Sequence, residues 1–290
     1  MAQAAGLTLV PRARRDPGRA STYGVGRLIA DAIARGCRSI AVTLGGSATV
    51  DGGAGMAQAL GARLKDAAGR PIPPGGDGLL ALATIDAGPV RKLLKGIRVA
   101  GLTDVRNPLL GARGAACVYG PQKGATPSKV RGLERGLARF AMICRRDIGR
   151  DVSRIPGAGA AGGLGAGLAA FLEAELVSGA DWIFRMLDLD SRLERADLVL
   201  TGEGSLDAQT RMGKLVARVA ARARRARDSR RIRTPVIAFA GRVTLSRRQI
   251  RALGLKAAYG LAGTGVSAGE SFRRAAELLE RKTFEVLRGL

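Results

Sequence analysis

The sequence contains no histidine among its 290 residues, which excludes His-based catalytic triads and His metal sites. Its three cysteines, Cys37, Cys117 and Cys144, are far apart and none forms a CxxC pair, so we expect neither a disulfide framework nor a zinc site. Aromatic residues make up only 3% of the chain, against 42 glycines, which favours closely packed α/β units. Acid–base chemistry must therefore come from Asp, Glu, Lys or Tyr, or from a metal-bound water.

Long apolar runs are also lacking, since none approaches the roughly 18–20 residues that span a bilayer. The first residues, MAQAAGLTLVPRARR, carry their charges after the apolar part, which is the reverse of a signal peptide. We therefore expect a cytoplasmic protein with no membrane partner.

Acidic residues are few. The chain has 24 acidic and 48 basic residues, which gives a net charge of +24. Such a charge favours contact with polyanions or phosphorylated metabolites, although a general enrichment in arginine along the whole chain is the better explanation of it. The densest basic stretch, residues 218–233, has no aromatic residues interleaved for base stacking. Nucleic acid binding is therefore kept as a lesser alternative.

The order of the elements predicts parallel α/β sheets. Helices are predicted over 21–35, from Met56 to Leu64, over 127–148 with Thr126 as N-cap, after the glycine-rich segment 157–167, and from about Glu270. Buried strands are predicted over 39–44 and 97–103, and further strands over 196–201, 235–241 and 256–261. The domain boundary is predicted near residues 189–195.

Two glycine-rich segments follow this pattern. LGGSATVDGGAG (44–55) lies between a strand and a helix, which is where α/β folds bind anions through backbone N–H groups. GAGAAG (157–162) matches GxGxxG, but the polar stretch before it ends in Pro and is not the strand that a dinucleotide site requires. Close helix packing, or a phosphate cradle, explains this second segment better.

Carboxylates and lysines supply the remaining site material. Asp51 and Asp104 each follow an apolar strand, so they could hold Mg²⁺ or deprotonate a hydroxyl, or simply cap the next loop. Glu203 and Asp207 follow a third strand in the same way, and Lys123 lies in a Pro- and Gly-flanked loop. Glycine loops, strand-end carboxylates and loop lysines together favour phosphoryl transfer over acyl transfer.

Five blocks of the sequence resemble, in order, those of the bacterial type I glycerate kinases. They are GGSATVDGGAGMAQALGARL (45–64), TDVRNPLLGARGA (103–115), YGPQKGATP (119–127), GAGAAGGLGAGL (157–168) and ADLVLTGEGSLDAQTRMGK (196–214). The resemblance implies ATP- and Mg²⁺-dependent phosphorylation of D-glycerate, generally to 2-phosphoglycerate. It also implies two α/β domains, an inserted large domain over 1–190 and an incomplete Rossmann- or flavodoxin-like domain over 191–290.

The resemblance also implies the site residues. Asp104, Lys123 and Asp207 would be catalytic, with Asp104 or Asp207 near the metal and Lys123 or Lys214 on phosphate oxygens. By this resemblance Gly45, Gly46, Ser47, Thr49 and Asp51 would line an interdomain cleft and bind an anionic group there, either the glycerate carboxylate or a phosphate. The other residues implied to bind substrate or phosphate are Asn107, Gln122, Gly202, Glu203, Gln209 and Lys214.

Members of this family are longer at the N-terminus, where D-S-F-K-G-type and D-G-G-E-G-type blocks occur that are not found here. We therefore expect exposed sheet edges and apolar surface. Two interpretations stay open, a glycerate kinase and an inactive remnant of one. The oligomeric state, including a homo-oligomer, also stays open.

Overall fold

A computed structural model describes residues 1–208, 210, 215–226, 234–261 and 268–289. Its chain forms two compact units, Met1–Gly179 and Ala180–Leu290, each described by itself below. The boundary between the two units lies eleven residues before the predicted boundary at 190/191, because the helices between 179 and 195 belong to the second unit. The assignment of an inserted domain and a Rossmann-like half stays a prediction.

Unit 1 contains a parallel three-stranded sheet in the order β1-β4-β5. Its strands are β1 (Ser39–Thr43), β4 (Arg98–Leu102) and β5 (Glu175–Val177). The prediction of a buried first strand is wrong, because β1 lies at the sheet edge and only Val42 of its five residues is buried. The central strand β4 is the one that carries three buried residues.

A second, antiparallel pair joins β2 (Arg63–Lys65) to β3 (Thr84–Asp86). The predicted helix from Met56 to Leu64 is therefore too long. The helix after the first glycine loop, α3 (Ala54–Ala59), is shorter than predicted, and a left-handed Gly61 turns the chain into β2, where Leu64 is buried.

The helices of unit 1 surround the apolar core that contains Met56, Leu137, Phe140 and Phe171. They are α1 (Ala2–Ala5), α2 (Tyr23–Ala34), α3 (Ala54–Ala59), α4 (Gly88–Leu93), α5 (Ala115–Tyr119), α6 (Pro127–Ile143) and α7 (Ala160–Phe171). Short 3₁₀ turns occupy Leu7–Leu9, Arg12–Arg14, Gly76–Ala81 and Pro121–Lys123, and a π-helical turn, Cys144–Ile148, extends α6.

Helix α6 confirms the clearest prediction. The Thr126 side chain accepts a hydrogen bond from Lys129 N, Pro127 opens the helix, and its apolar face is buried. Leu133, Leu137 and Phe140 lie on that face, each at most 1% exposed.

Unit 2 contains a parallel three-stranded sheet in the order β6-β7-β8. Its strands are β6 (Val199–Leu206), β7 (Val236–Val243) and β8 (Ala257–Gly260). The predicted strand over 196–201 starts later and runs further, so Gly202 and Glu203 lie within β6 and not in a loop after it. Exposed and partly buried residues alternate along β6, with Leu200, Gly202 and Gly204 exposed, which is consistent with its place at the sheet edge.

The helices of unit 2 are α8 (Gly179–Met186), α9 (Leu189–Arg195), α10 (Leu215–Ala223), α11 (Arg247–Ala252), α12 (Ala268–Arg273) and α13 (Ala275–Arg288). The closing helix predicted from Glu270 is thus two helices. In the part of the chain that the structure describes, helices of a length and apolarity sufficient to cross a bilayer are absent.

Candidate functional site

The first glycine loop follows β1 and is organised by the buried carboxylate of Asp51. Thr22 donates to this carboxylate through its backbone N and its hydroxyl, both at 2.8 Å, and Gly53 N and Gly55 N donate at 3.1 and 3.3 Å. Burial raises the pKa of Asp51, and these four hydrogen bonds oppose that shift. Asp51 is 0% exposed, so the geometry supports the interpretation that it caps the loop. Direct contact of Asp51 with a ligand stays a prediction, and the burial of the carboxylate does not favour it.

Lys123 lies at the end of the 3₁₀ turn between α5 and α6 and is only 2% exposed. Its Nζ donates to Ser47 Oγ at 2.7 Å and to the carbonyl oxygen of Thr49 at 2.8 Å. Burial lowers the pKa of Lys123 to about 8, and the negative charge of Asp51 partly offsets this effect. The two sequence blocks that contain these residues are therefore joined in space by a buried amine.

A pocket of about 270 Å³, here called the loop pocket, lies beside this contact. Five of the predicted site residues line it: Gly45, Gly46, Ser47, Gln122 and Lys123. Thr49 does not line it and contributes its carbonyl oxygen, while its hydroxyl is buried without a hydrogen-bond partner in the described part of the chain. The predicted anion-binding loop and the predicted lysine thus meet at one small cavity.

The second glycine-rich segment packs against the first. Gly162 and Gly163 have φ of +71° and +89°, and Gly52 N donates to the carbonyl oxygen of Gly162 at 3.1 Å. A Cβ on Gly162 would overlap the carbonyl oxygen of Thr49. Close packing is therefore what these glycines provide, while Ala160 and Ala161 line the loop pocket.

Asp104 and Asn107 lie on the loop after β4. Asp104 is exposed, and its carboxylate accepts a hydrogen bond from Ser178 Oγ at 2.9 Å. The Asn107 side chain donates through Nδ2 to the carbonyl oxygen of Arg113 and accepts through Oδ1 from the hydroxyl of Tyr119, both at 2.8 Å. Neither predicted residue lines the loop pocket, but Asn107 fixes Tyr119, which does.

The predicted site residues of unit 2 surround Thr210. The Thr210 hydroxyl donates to Glu203 Oε1 at 2.6 Å and accepts from Asp207 N at 3.2 Å, while Ser205 Oγ donates to Asp207 Oδ2 at 3.1 Å. Gln209 and Lys214 lie outside the described residues. Glu203, within β6, and Asp207, directly after it, are therefore joined through the hydroxyl of a buried threonine.

A second pocket, of about 490 Å³, lies within unit 2 and is mainly apolar. It is lined by residues of β6, β7 and α13, among them Gly202, Glu203 and Phe239. Two of the predicted binding residues thus face a cavity that differs in character from the loop pocket.

Sequence reasoning missed three residues of these networks. Thr22 precedes α2 at its N-cap position, which is a recognisable signal. Tyr119 is one of only three tyrosines and begins the YGPQKGATP block. Thr210 gives no signal of its own, because its role depends on the turn that brings Glu203 and Asp207 together.

Carboxylate donors suited to magnesium are present in both units. Mg²⁺ needs only one or two carboxylates besides water and substrate phosphates, and Asp104 and Asp207 each offer a carboxylate with a serine hydroxyl beside it. Among the described residues, no three or more acidic or cysteine side chains gather into a metal cluster of their own. The donor chemistry therefore fits a metal that is shared with a phosphorylated substrate.

The parallel sheets and the helices packed around them define an α/β protein. The sequence model described as "Glycerate kinase family" matches residues 1–290, and the chain belongs to that family. This match and the similarity to a solved structure, given below, confirm the prediction of a two-domain, glycerate-kinase-like α/β fold.

Several relatives carry the family name. A glycerate kinase of Halalkalibacterium halodurans is 44% identical over 281 residues, 97% of this chain and 72% of the relative. The glycerate 2-kinase of Escherichia coli K12 is 41% identical over 275 residues, 95% of this chain and 71% of the relative.

A crystal structure of a Salmonella typhimurium LT2 protein, provisionally named glycerate kinase 2, is similar in sequence and in fold. It is 44% identical and superposes with a TM-score of 0.78 over 89% of this chain. The present chain spans 65% of the length of that protein.

Proposed function

We propose that this chain transfers the γ-phosphoryl group of ATP to a hydroxyl of D-glycerate, giving 2-phosphoglycerate. Supporting this proposal are the names of its relatives and one observation above the others. The buried Lys123 amine contacts the glycine loop at a pocket of about 270 Å³. A cation buried beside a small cavity suits an anionic substrate.

The reaction follows from the groups that the chain offers. The glycerate hydroxyl oxygen bonds to the γ-phosphorus, the bond from that phosphorus to the bridging oxygen breaks, and ADP leaves. The hydroxyl proton passes to the carboxylate of Asp104 or Asp207, each of which belongs to a strand-end loop. Such transfer depends mainly on positioning and charge neutralisation.

Charge neutralisation would come from lysines and from magnesium. Lys123 supplies a fixed ammonium in unit 1, and Lys214 is the second candidate for the phosphate oxygens. Mg²⁺, when bound, would neutralise charge on the phosphates, with Asp104 or Asp207 as its protein ligand.

The test is ADP formation by the 290-residue chain with ATP, Mg²⁺ and D-glycerate, compared with L-glycerate and with no acceptor. Lys123→Met is the active-site variant, and Lys92→Met, at an exposed position of α4, is its control. We expect turnover that requires D-glycerate, survives Lys92→Met and fails with Lys123→Met. Absence of D-glycerate-dependent turnover in a chain that unfolds cooperatively would overturn the proposal and favour an inactive remnant.

A further inference from the structure

The hydrogen bonds around Tyr119 fix the direction in which its hydroxyl can act. Asn107 Nδ2 donates to the carbonyl oxygen of Arg113, so Asn107 Oδ1 is the acceptor that faces Tyr119. The Tyr119 proton is therefore used in the bond to Asn107, at 2.8 Å. The lone pairs of the Tyr119 oxygen are left to accept a hydrogen bond.

Ser47 and Lys123, in contrast to Tyr119, are arranged to donate hydrogen bonds. Because the protonated amine of Lys123 donates to Ser47 Oγ, the hydroxyl proton of Ser47 must be directed elsewhere. Ser47 lines the loop pocket together with Lys123 and Tyr119. The pocket wall thus combines hydrogen-bond donors suited to an oxyanion with one aromatic acceptor suited to a hydroxyl.

We infer that the loop pocket is the subsite for a small hydroxy acid, in which Ser47 and Lys123 bind the carboxylate and Tyr119 accepts a hydrogen bond from a hydroxyl. This inference rests on the proposed function and deepens it, because it separates the acid subsite from the nucleotide. It also makes Tyr119 a specificity-determining residue.

The size of the pocket supports this choice of ligand. Pockets for drug-sized molecules have volumes of about 300–1,000 Å³, and the loop pocket, at about 270 Å³, lies below that range. A three-carbon acid fits such a volume.

The ionisation of Tyr119 agrees with a neutral acceptor. Burial raises the pKa of its phenol, so the proton that the bond to Asn107 requires stays in place across the neutral range. A phenol that keeps its proton directs that proton to Asn107 and its lone pairs to the ligand.

The experiment measures binding of D-glycerate by calorimetry without ATP, so that it does not depend on turnover. D-Lactate and 3-hydroxypropanoate, which each lack one hydroxyl of glycerate, are the comparison ligands. Tyr119→Phe keeps the ring and removes the acceptor. Tyr23→Phe is the matched control, because Tyr23 is 49% exposed and does not line the pocket.

Loss of one hydrogen bond corresponds to about a tenfold change in affinity. We expect Tyr119→Phe to weaken D-glycerate about tenfold, to the level of one of the two analogues, while binding of that analogue stays unchanged. Tyr23→Phe should leave all three affinities as they are.

The inference would be overturned if D-glycerate failed to bind the unmodified chain, or if Tyr119→Phe discriminated among the three ligands as the unmodified chain does. A Michaelis constant that changes for ATP and not for D-glycerate would do the same, since it would place nucleotide in the pocket. Binding that depends on Tyr119 in a chain without turnover would support the subsite and contradict the proposed kinase reaction.

Discussion

The Nζ atom of Lys123 lies 2.7 Å from Ser47 Oγ, inside a part of unit 1 where the lysine is only 2% exposed. A buried ammonium is costly unless it is paired and hydrogen-bonded. The carbonyl oxygen of Thr49 and the charge of Asp51 provide that compensation in part. The charge of Lys123 is thus maintained at neutral pH but is lost more easily than that of an exposed lysine.

The first prediction concerns anion binding and pH. Because the pKa of Lys123 is lowered to about 8, the amine loses its charge above that pH and with it the attraction for an anion. We expect the dissociation constant of D-glycerate to rise about tenfold from pH 7 to pH 9. Lys123→Met should bind weakly at both pH values, and an equally steep pH dependence in that variant would assign the effect to another group.

The second prediction concerns stability. The folded-state pKa of Lys123 lies below its unfolded value, so the unfolded chain binds more protons between pH 8 and 10.5. Stability should therefore rise with pH across this window, by about 3 kcal/mol at most. Urea unfolding of the unmodified chain and of Lys123→Met at pH 7, 8.5 and 10 measures the difference. A difference between the two that stays constant with pH would mean that the lysine is not buried as described.

The third prediction tests the packing of the two glycine segments. Gly162→Ala places a Cβ against the carbonyl oxygen of Thr49, so the loop that carries Ser47 must move. Gly149→Ala is the control, since Gly149 also has positive φ (+78°) but its Cβ would meet no described atom within 4 Å. We expect about 1 kcal/mol of destabilisation for the control and a clearly larger loss, with weaker D-glycerate binding, for Gly162→Ala. Equal losses in the two variants would contradict the contact.

Much of unit 1 could be predicted from the sequence because its signals are local. Thr126 and Pro127 mark the start of α6, and the apolar spacing of Leu133, Leu137 and Phe140 marks its buried face. Strand burial could not be predicted in the same way. Residues 39–44 form an apolar run, yet β1 lies at a sheet edge and is mostly exposed, because strand order is set by contacts that are distant in the chain.

The candidate site could likewise be predicted from the sequence only in part. Lys123 and the glycine loop could be selected from the residue types and the family resemblance, and the structure brings them together. The role of Asp51 could not be chosen, since a strand-end aspartate either binds a ligand or caps a loop. Two of its four hydrogen bonds come from Thr22, which lies 29 residues away in the sequence at the N-cap of α2. Tyr119 was missed because only the bond to Asn107 reveals what its hydroxyl does.

The fourth prediction tests the carboxylate of the strand-end loop in unit 1. Asp104→Asn keeps the size of the side chain and an oxygen acceptor for Ser178 Oγ, but removes the negative charge. Turnover with D-glycerate should fall by at least about tenfold, while the midpoint of urea unfolding stays the same. Asp31→Asn, at an exposed position of α2, is the control that should remain fully active. A near-normal rate for Asp104→Asn would leave Asp207 as the candidate base.

The fifth prediction concerns Thr210, whose hydroxyl joins Glu203 to the amide of Asp207. Thr210→Val has nearly the same shape but neither donates nor accepts, so a carboxylate oxygen and an amide lose their partner inside unit 2. We expect a loss of about 1–2 kcal/mol in the free energy of unfolding. Thr210→Ser retains the hydroxyl and should recover most of that loss, since a missing methyl group alone does not break the two bonds. If Thr210→Ser were as unstable as Thr210→Val, packing of the methyl group would be what holds the turn, and the positions of Glu203 and Asp207 would not depend on the hydroxyl.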